Sequence, residues 1–323
     1  MPNFFASVVC GPPAIWRCPE QAVVQIMRVL AAVALALLCT DVRCASSGTQ
    51  RYYAAKQYYA GELNGLALRY GTDKQMTQHS YTETYAALFP PAEYASGTSV
   101  QLTTTGVGCE PTCTLQRAPR TRDSVLRVLE IGVFFGSSIK MWRDYFPNAE
   151  IVGVDPFLGV HGNNRAFSNP TKFLDQWRQG KVGDRIRLSV TNQHNVTQLQ
   201  EMVHELRHGG QKAFDLMLDD GSHDHQDILQ SWGWLWPLVA PGGIYVLEDT
   251  CTSYISGYDE PANGNETTSA VIRRFLAGDG IQSKYLTPKQ ARQLEEQIES
   301  ATIVVPPQMT KDRSETTIVV KKH

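Results

Sequence analysis

From Ser124 onward, short apolar runs alternate with longer amphipathic stretches. Val125–Ile131, Ile151–Val154, Ile186–Val190, Leu216–Leu218 and Ile244–Leu247 are strand-like, and turn-forming residues bound them. Gly136–Tyr145, Lys172–Gln179, Val196–Arg207 and Gln226–Val239, which lie between them, have helical spacing. Ser269–Leu276 and Pro288–Glu299 continue as helices. Thr302–Val305 and Thr316–Val320 close the chain as a hairpin-like pair around polar Thr310–Ser314. Strand–helix alternation predicts an α/β fold with a mostly parallel sheet and helices on both faces. An antiparallel strand is allowed at the end.

Upstream of Ser124 the pattern changes. Gln50–Phe89 is rich in tyrosine and alanine and reads as helical. The turn Gly71–Thr72–Asp73–Lys74 interrupts it and leads to His79, Tyr81 and Tyr85. Pro90–Arg122 is rich in Pro, Gly, Ser and Thr and reads as an irregular insertion. Near the start, Arg28 precedes the apolar run Val29–Cys39, then Thr40–Asp41 and the small residues Cys44–Ser47. A positive flank, a short apolar run and a small-residue exit describe a secretory signal, here starting at Met27. The run is shorter than the ~20 residues that a membrane span needs. The resulting plan is a signal or targeting segment over 1–45, an N-terminal cap with the insertion over 46–123, and the main domain over 124–323. The expected compartment is the secretory pathway, with an organelle or the cytoplasm as alternatives.

Composition adds little beyond exclusions. Of 323 residues, 42% are hydrophobic, and 30 Lys+Arg stand against 32 Asp+Glu. This near-neutral balance has no long basic run, so it does not suggest a nucleic-acid partner. Cys109 and Cys113 share a loop and read as a small disulfide, because zinc would need a second pair of ligands. Cys251 reads as a packed thiol.

The chemistry gathers at the strand ends. Parallel α/β sheets bind ligands at the carboxyl ends of their strands. Asp219–Asp220 ends the fourth run and Glu248–Asp249 the fifth, with His223 close behind the first pair. The first strand ends in Glu130–Ile131–Gly132–Val133–Phe134–Phe135–Gly136, in which Gly132 and Gly136 let a cofactor approach the backbone. Asp155 ends the second strand, where an acid accepts hydrogen bonds from ribose hydroxyls. Bland alternatives exist for several of these. Asp219–Asp220 would cap the next helix, His225 would be a helix-start or surface histidine, and Tyr81 and Tyr85 would be core. Trp232, Trp234 and Trp236 alternate, so they cannot share one helix face.

The ordered set Glu130, Gly132, Gly136, Asp155, Asp219–Asp220 and Pro241–Gly242–Gly243 resembles class I S-adenosylmethionine-dependent methyltransferases, from about Ser124 to the C-terminus. Phe134 stands where the usual E/D-x-G-x-G-x-G has its middle glycine. The resemblance implies a Rossmann-like, doubly wound, seven-stranded sheet with an antiparallel last strand, Thr316–Val320. It also implies that Glu130 and Gly132 lie near the methionine part of the cofactor, that Gly136 helps bind it, that Asp155 holds the ribose, and that Thr191, Asn192 and Gln193 edge the adenine. Gly71–Lys74 with His79 and Tyr81, together with Asp220–Gly221–Ser222–His223 and Asp249, resembles a narrower group, the metal-dependent O-methyltransferases of macrolide sugars. That likeness implies Mg²⁺ on Asp220 and Asp249, His223 as base, and a hydroxylated small molecule or glycan as acceptor. The role of Glu248 stays open. Two rivals remain at this stage. One is a secreted or lumenal binding module that keeps the fold without turnover, motivated by the leader and Phe134. The other is a dehydrogenase, against which the missing G-x-G-x-x-G speaks.

Overall fold

The computed structural model describes residues 61–92, 100–101, 114–115, 120–158, 171–208, 213–304 and 315–323. The leader-like segment and the Cys109–Cys113 pair lie outside them. Strand β1 (Arg127–Ile131) is buried at every position, because parallel neighbours flank it and helices cover both faces. The other strands of its sheet are β2 (Glu150–Asp155), β3 (Ile186–Val190), β4 (Phe214–Asp219), β5 (Val239–Leu247), β6 (Ile298–Val304) and β7 (Thr316–Lys321). They form one seven-stranded sheet in the order β3-β2-β1-β4-β5-β7-β6. All neighbours are parallel except β7, which runs antiparallel to both β5 and β6. The expected doubly wound sheet with one reversed final strand is borne out.

Helices cover the two faces with separate apolar clusters. On one face lie α1 (residues 61–70), α2 (Tyr81–Leu88), α3 (Ser137–Tyr145) and α4 (Thr171–Arg178). On the other lie α5 (Val196–His208), α6 (His225–Leu235), α7 (Thr268–Leu276) and α8 (Pro288–Gln297). Arg51–His323 forms one compact unit. Tyr81, Tyr85, Ala86, Ala87, Leu88 and Phe89 belong to the same apolar cluster as Trp142 and Val128. The segment read as a cap over the domain therefore shares the core of the sheet.

Some boundaries move for identifiable reasons. The helix expected over Gln226–Val239 stops at Leu235, and Trp236–Leu238 tightens into a 3₁₀ turn around Pro237. Proline cannot donate to a continuing helix. Pro241–Gly243 lies inside β5, where the pairing with β4 shifts register between Phe214 and Leu216. β6 begins at Ile298, four residues before the apolar run suggested. α8 starts on a reciprocal cap between Thr287 and Gln290 with Pro288 at its first position. Trp232 and Trp236 are fully buried, and Trp234 packs at the margin of the core. No described helix is long and apolar enough to cross a membrane.

Candidate active site

The strand order reverses between β1 and β4, and sheets of this kind open a crevice at such a switch point. The two strand ends touch here. The Asp220 amide donates to the Ile131 carbonyl at 3.0 Å. Gly132 has φ +92°, and a Cβ built on it would lie 1.9 Å from the Asp220 carbonyl oxygen. Glycine is required at this position by backbone conformation and by contact. Gly136, also left-handed, faces the Phe173 ring, which an added Cβ would strike at 2.4 Å. Phe134 keeps the left-handed backbone that glycine would supply, at φ +50°, which is strained for an aromatic residue.

Asp155 explains how that loop is held. One of its oxygens accepts from the amides of Val133 and Phe134, both at 3.0 Å, and the other from the Phe157 amide at 2.6 Å. A carboxylate has about four acceptor positions, so one remains for a ribose hydroxyl, where two had been expected. Phe134, Leu158 and Val190 are exposed at the ends of β1, β2 and β3, an apolar lip beside the acid. The Gln193 side chain, expected to edge the adenine, turns inward. It is buried and donates to both oxygens of Asp219, at 2.8 and 3.1 Å, while accepting from the Ser222 amide at 3.1 Å. Asn192 accepts from the His194 amide, and its own amide donates to Gln198. Both residues brace the loop after β3. A cavity of about 400 Å³ lies beyond that loop, lined by residues of β3 and α5 that include Thr191 and Gln198. None of the acids at the strand ends lines it.

At the ends of β4 and β5 the acids meet. Asp220, His223 and Asp249 each place one ligand atom within 4.8 Å of the others. His223 Nε2 is 3.9 Å from Asp220 Oδ1 and 3.7 Å from Asp249 Oδ2. His223 and Asp249 both have left-handed backbones, at φ +63° and +50°, and these turn the side chains back over the strand ends. The His223 Nδ1 is buried and has no hydrogen-bond partner among the described residues. Helix capping does not explain the acids. α6 begins at His225, and the amides of His225 and Gln226 are capped from a distant loop by Asp259, at 2.7 and 2.8 Å. His225 starts the helix as expected, but it is fully buried, with Nδ1 3.0 Å from the Thr268 hydroxyl.

Lys74 is the functional residue that sequence reasoning left in a turn. Its ammonium is 1% exposed and lies among three carboxylates. It donates to Asp220 at 2.5 Å and to Glu248, and it stands 3.5 Å from Glu130. Tyr85 donates to the second oxygen of Glu248, and Tyr81 donates to Asp249 Oδ1 at 2.6 Å. His79 Nδ1 lies 3.7 Å from that same Asp249 oxygen. Glu248 thus anchors Lys74 and Tyr85, which answers the question left open for it. Glu130 is sealed beneath Lys74 and accepts from Ser138 at 2.8 Å.

Burial pushes the Glu130 carboxyl up to about 7, against the pull of Lys74. Burial likewise raises Asp219 to about 8, opposed by its bonds from Gln193. Glu248 shifts in the same direction for the same reason. These acids hold protons longer when folded than when unfolded. Their contribution therefore favours the folded state at low pH and declines as pH rises from about 4 to about 8. Asp219→Asn mimics the protonated acid. It is expected to change stability little at pH 5 and to exceed the parent at pH 9, as read from thermal unfolding at both. A parent whose advantage over the variant grows with pH would refute the assignment.

The comparisons with known proteins agree with this architecture. Residues 129–250 match the family model for a methyltransferase domain. The chain is 34% identical over 164 residues to the L-olivosyl-oleandolide 3-O-methyltransferase of Streptomyces antibioticus, across 49% of this chain and 36% of that protein. It is 29% identical over 240 residues to the 8-demethyl-8-(2-methoxy-alpha-L-rhamnosyl)-tetracenomycin-C 3'-O-methyltransferase of Streptomyces olivaceus, across 72% of this chain and 48% of that protein. The chain spans about half the length, or less, of these curated relatives. A solved structure of the MycE methyltransferase from the mycinamycin biosynthetic pathway, in complex with Mg, SAH and mycinamycin VI, has a TM-score of 0.50 and 21% identity. That match covers 98% of this chain and 68% of the other, and at this identity it shows the fold alone. The expected resemblance to class I methyltransferases is borne out. The relatives carry the names of sugar O-methyltransferases, so the comparisons lend no support to a binding module without turnover.

Proposed function

We propose that this chain transfers a methyl group from S-adenosylmethionine to a hydroxyl of a sugar or another small polyhydroxylated acceptor, with Mg²⁺ held by Asp220 and Asp249. The observation that carries the reading is the convergence of Asp220, Asp249 and His223 at the switch-point crevice. Two carboxylates with oxygens facing a common point form a hard donor set that suits magnesium. A bound ion would supply positive charge that lowers the hydroxyl pKa and fixes its direction. The cofactor brings an already activated methyl group, so the protein's work is to orient the acceptor and remove its proton. Asp220 and Asp249 hold the acceptor's end of the crevice. His223, 3.9 Å from Asp220 and 3.7 Å from Asp249, takes the hydroxyl proton at Nε2.

The residues around the first three strand ends fit the cofactor. Asp155 offers its last acceptor position to a ribose hydroxyl, and Phe134, Leu158 and Val190 provide apolar surface for the adenosine. Gly132 and Gly136 hold the loop close to β4 and α4. Glu130 is fully buried and braces the Lys74 ammonium from beneath. Asp155→Ala is expected to weaken S-adenosylmethionine binding at least a hundredfold in calorimetry while far-ultraviolet dichroism stays at the parent's value. Absence of cofactor binding to the parent, or equal binding by the variant, would overturn the cofactor assignment.

A further inference from the structure

We propose that Lys74 and Tyr81 set how the two acids bind a divalent ion, each occupying one carboxylate oxygen so that the acid offers only the other. The proposal rests on the reading that an ion binds Asp220 and Asp249. On Asp220, Oδ2 lies 2.5 Å from Lys74 Nζ, and Oδ1 is the atom that faces His223 Nε2. Asp249 divides in the same way. Its Oδ1 accepts from the Tyr81 hydroxyl at 2.6 Å, and its Oδ2 faces the same His223 nitrogen. The acids sit at the ends of different strands, yet both tethers come from one short stretch of chain ahead of the sheet.

The tethers are themselves fixed. Glu248 and Glu130 hold the Lys74 ammonium from its other sides, so it cannot follow Asp220. The Tyr81 ring is buried, and its hydroxyl also accepts from the Asp249 amide at 3.2 Å. Tyr81 thus grips Asp249 at main chain and side chain together. His79 faces the tethered Oδ1, not the free Oδ2.

This division has a chemical consequence. Magnesium takes six ligands in a near-ideal octahedron. A carboxylate binding through both oxygens would use two neighbouring positions at a pinched angle. Limited to one oxygen each, the two acids leave adjacent positions open for the paired hydroxyls of a vicinal diol. Lys74 and Tyr81 are positioning residues, since neither faces the common point where the free oxygens meet.

The test uses the full chain loaded with Mn²⁺ in place of Mg²⁺ and counts metal-bound water by electron–nuclear double resonance in ¹⁷O-enriched water, without turnover. Tyr81→Phe deletes one oxygen and keeps the buried ring. It is expected to lose one bound water relative to the parent as Asp249 closes on the ion with both oxygens. Lys74→Met, which frees Asp220, is expected to lose one as well and serves as the second variant if Tyr81→Phe does not fold. An unchanged water count in a folded variant overturns the proposal while leaving the metal reading intact. A parent that binds no Mn²⁺ overturns the metal reading and this proposal with it.

Discussion

Gly132→Ala is expected to cost more than about 4 kcal/mol, the range reached only when backbone or core geometry is broken. Two effects add at this position. The φ of +92° is outside the conformations that an alanine adopts readily, and the new Cβ would lie 1.9 Å from the Asp220 carbonyl oxygen and 2.6 Å from its carbon. Neither atom can move away without shifting the end of β4, which carries a proposed metal ligand. Gly71→Ala is the internal control. Gly71 is also left-handed, at φ +70°, but an added Cβ meets nothing within 4 Å. Its cost is expected to be the conformational part alone, about 1–2 kcal/mol. Denaturant unfolding of both variants separates contact from conformation. If the two variants fall within 1 kcal/mol of each other, the close approach of β1 and β4 is wrong.

The second large effect is on turnover. Asp249→Asn is expected to lower methyl transfer at least a hundredfold, or about 2.7 kcal/mol in the barrier. Asparagine is the chosen replacement because it tolerates the left-handed backbone of this residue. Its side-chain carbonyl can still accept from Tyr81, so the loss reports the charge. Chelation of the parent with EDTA is expected to match the variant, and Mg²⁺ is expected to restore the parent but not the variant. Turnover within threefold of the parent, both with EDTA and in Asp249→Asn, would remove the ion from the mechanism and leave the fold unaffected.

The fold was legible because its signal is local. Strands such as Leu216–Leu218 are apolar on both faces, and helices such as Val196–Arg207 repeat at helical spacing, so each run announces its own type. The positions of Asp220, Asp249 and His223 were legible for a related reason, since an acid ending a parallel strand has only one edge of the sheet to occupy. Lys74 was not. A lysine in a turn reads as solvated, because lysine is almost never fully buried unless paired. Its partners Asp220 and Glu248 are 146 and 174 residues away in sequence. The available signal was the helical spacing of Tyr81 and Tyr85 just beyond it, which places two hydroxyls on one face of α2.

Gln193 and Asp155 do work that sequence position alone does not reveal. Their places in the chain fit ligand contacts, but the loops they belong to need hydrogen bonds of their own. Gln193 donates to Asp219 and accepts from the Ser222 amide, and Asp155 accepts from two amides of the glycine turn and from that of Phe157. Sequence position says where a polar group sits, while the surrounding unpaired amides decide what it is free to bind.

The central claim is the reaction itself. The full chain incubated with Mg²⁺, methyl-labelled S-adenosylmethionine and a pool of glycans and small polyhydroxylated compounds should convert one acceptor class to a product carrying the labelled methyl on oxygen, as seen by mass spectrometry. Cofactor bound by the folded protein, with no labelled methyl appearing on any hydroxylated acceptor, would contradict it.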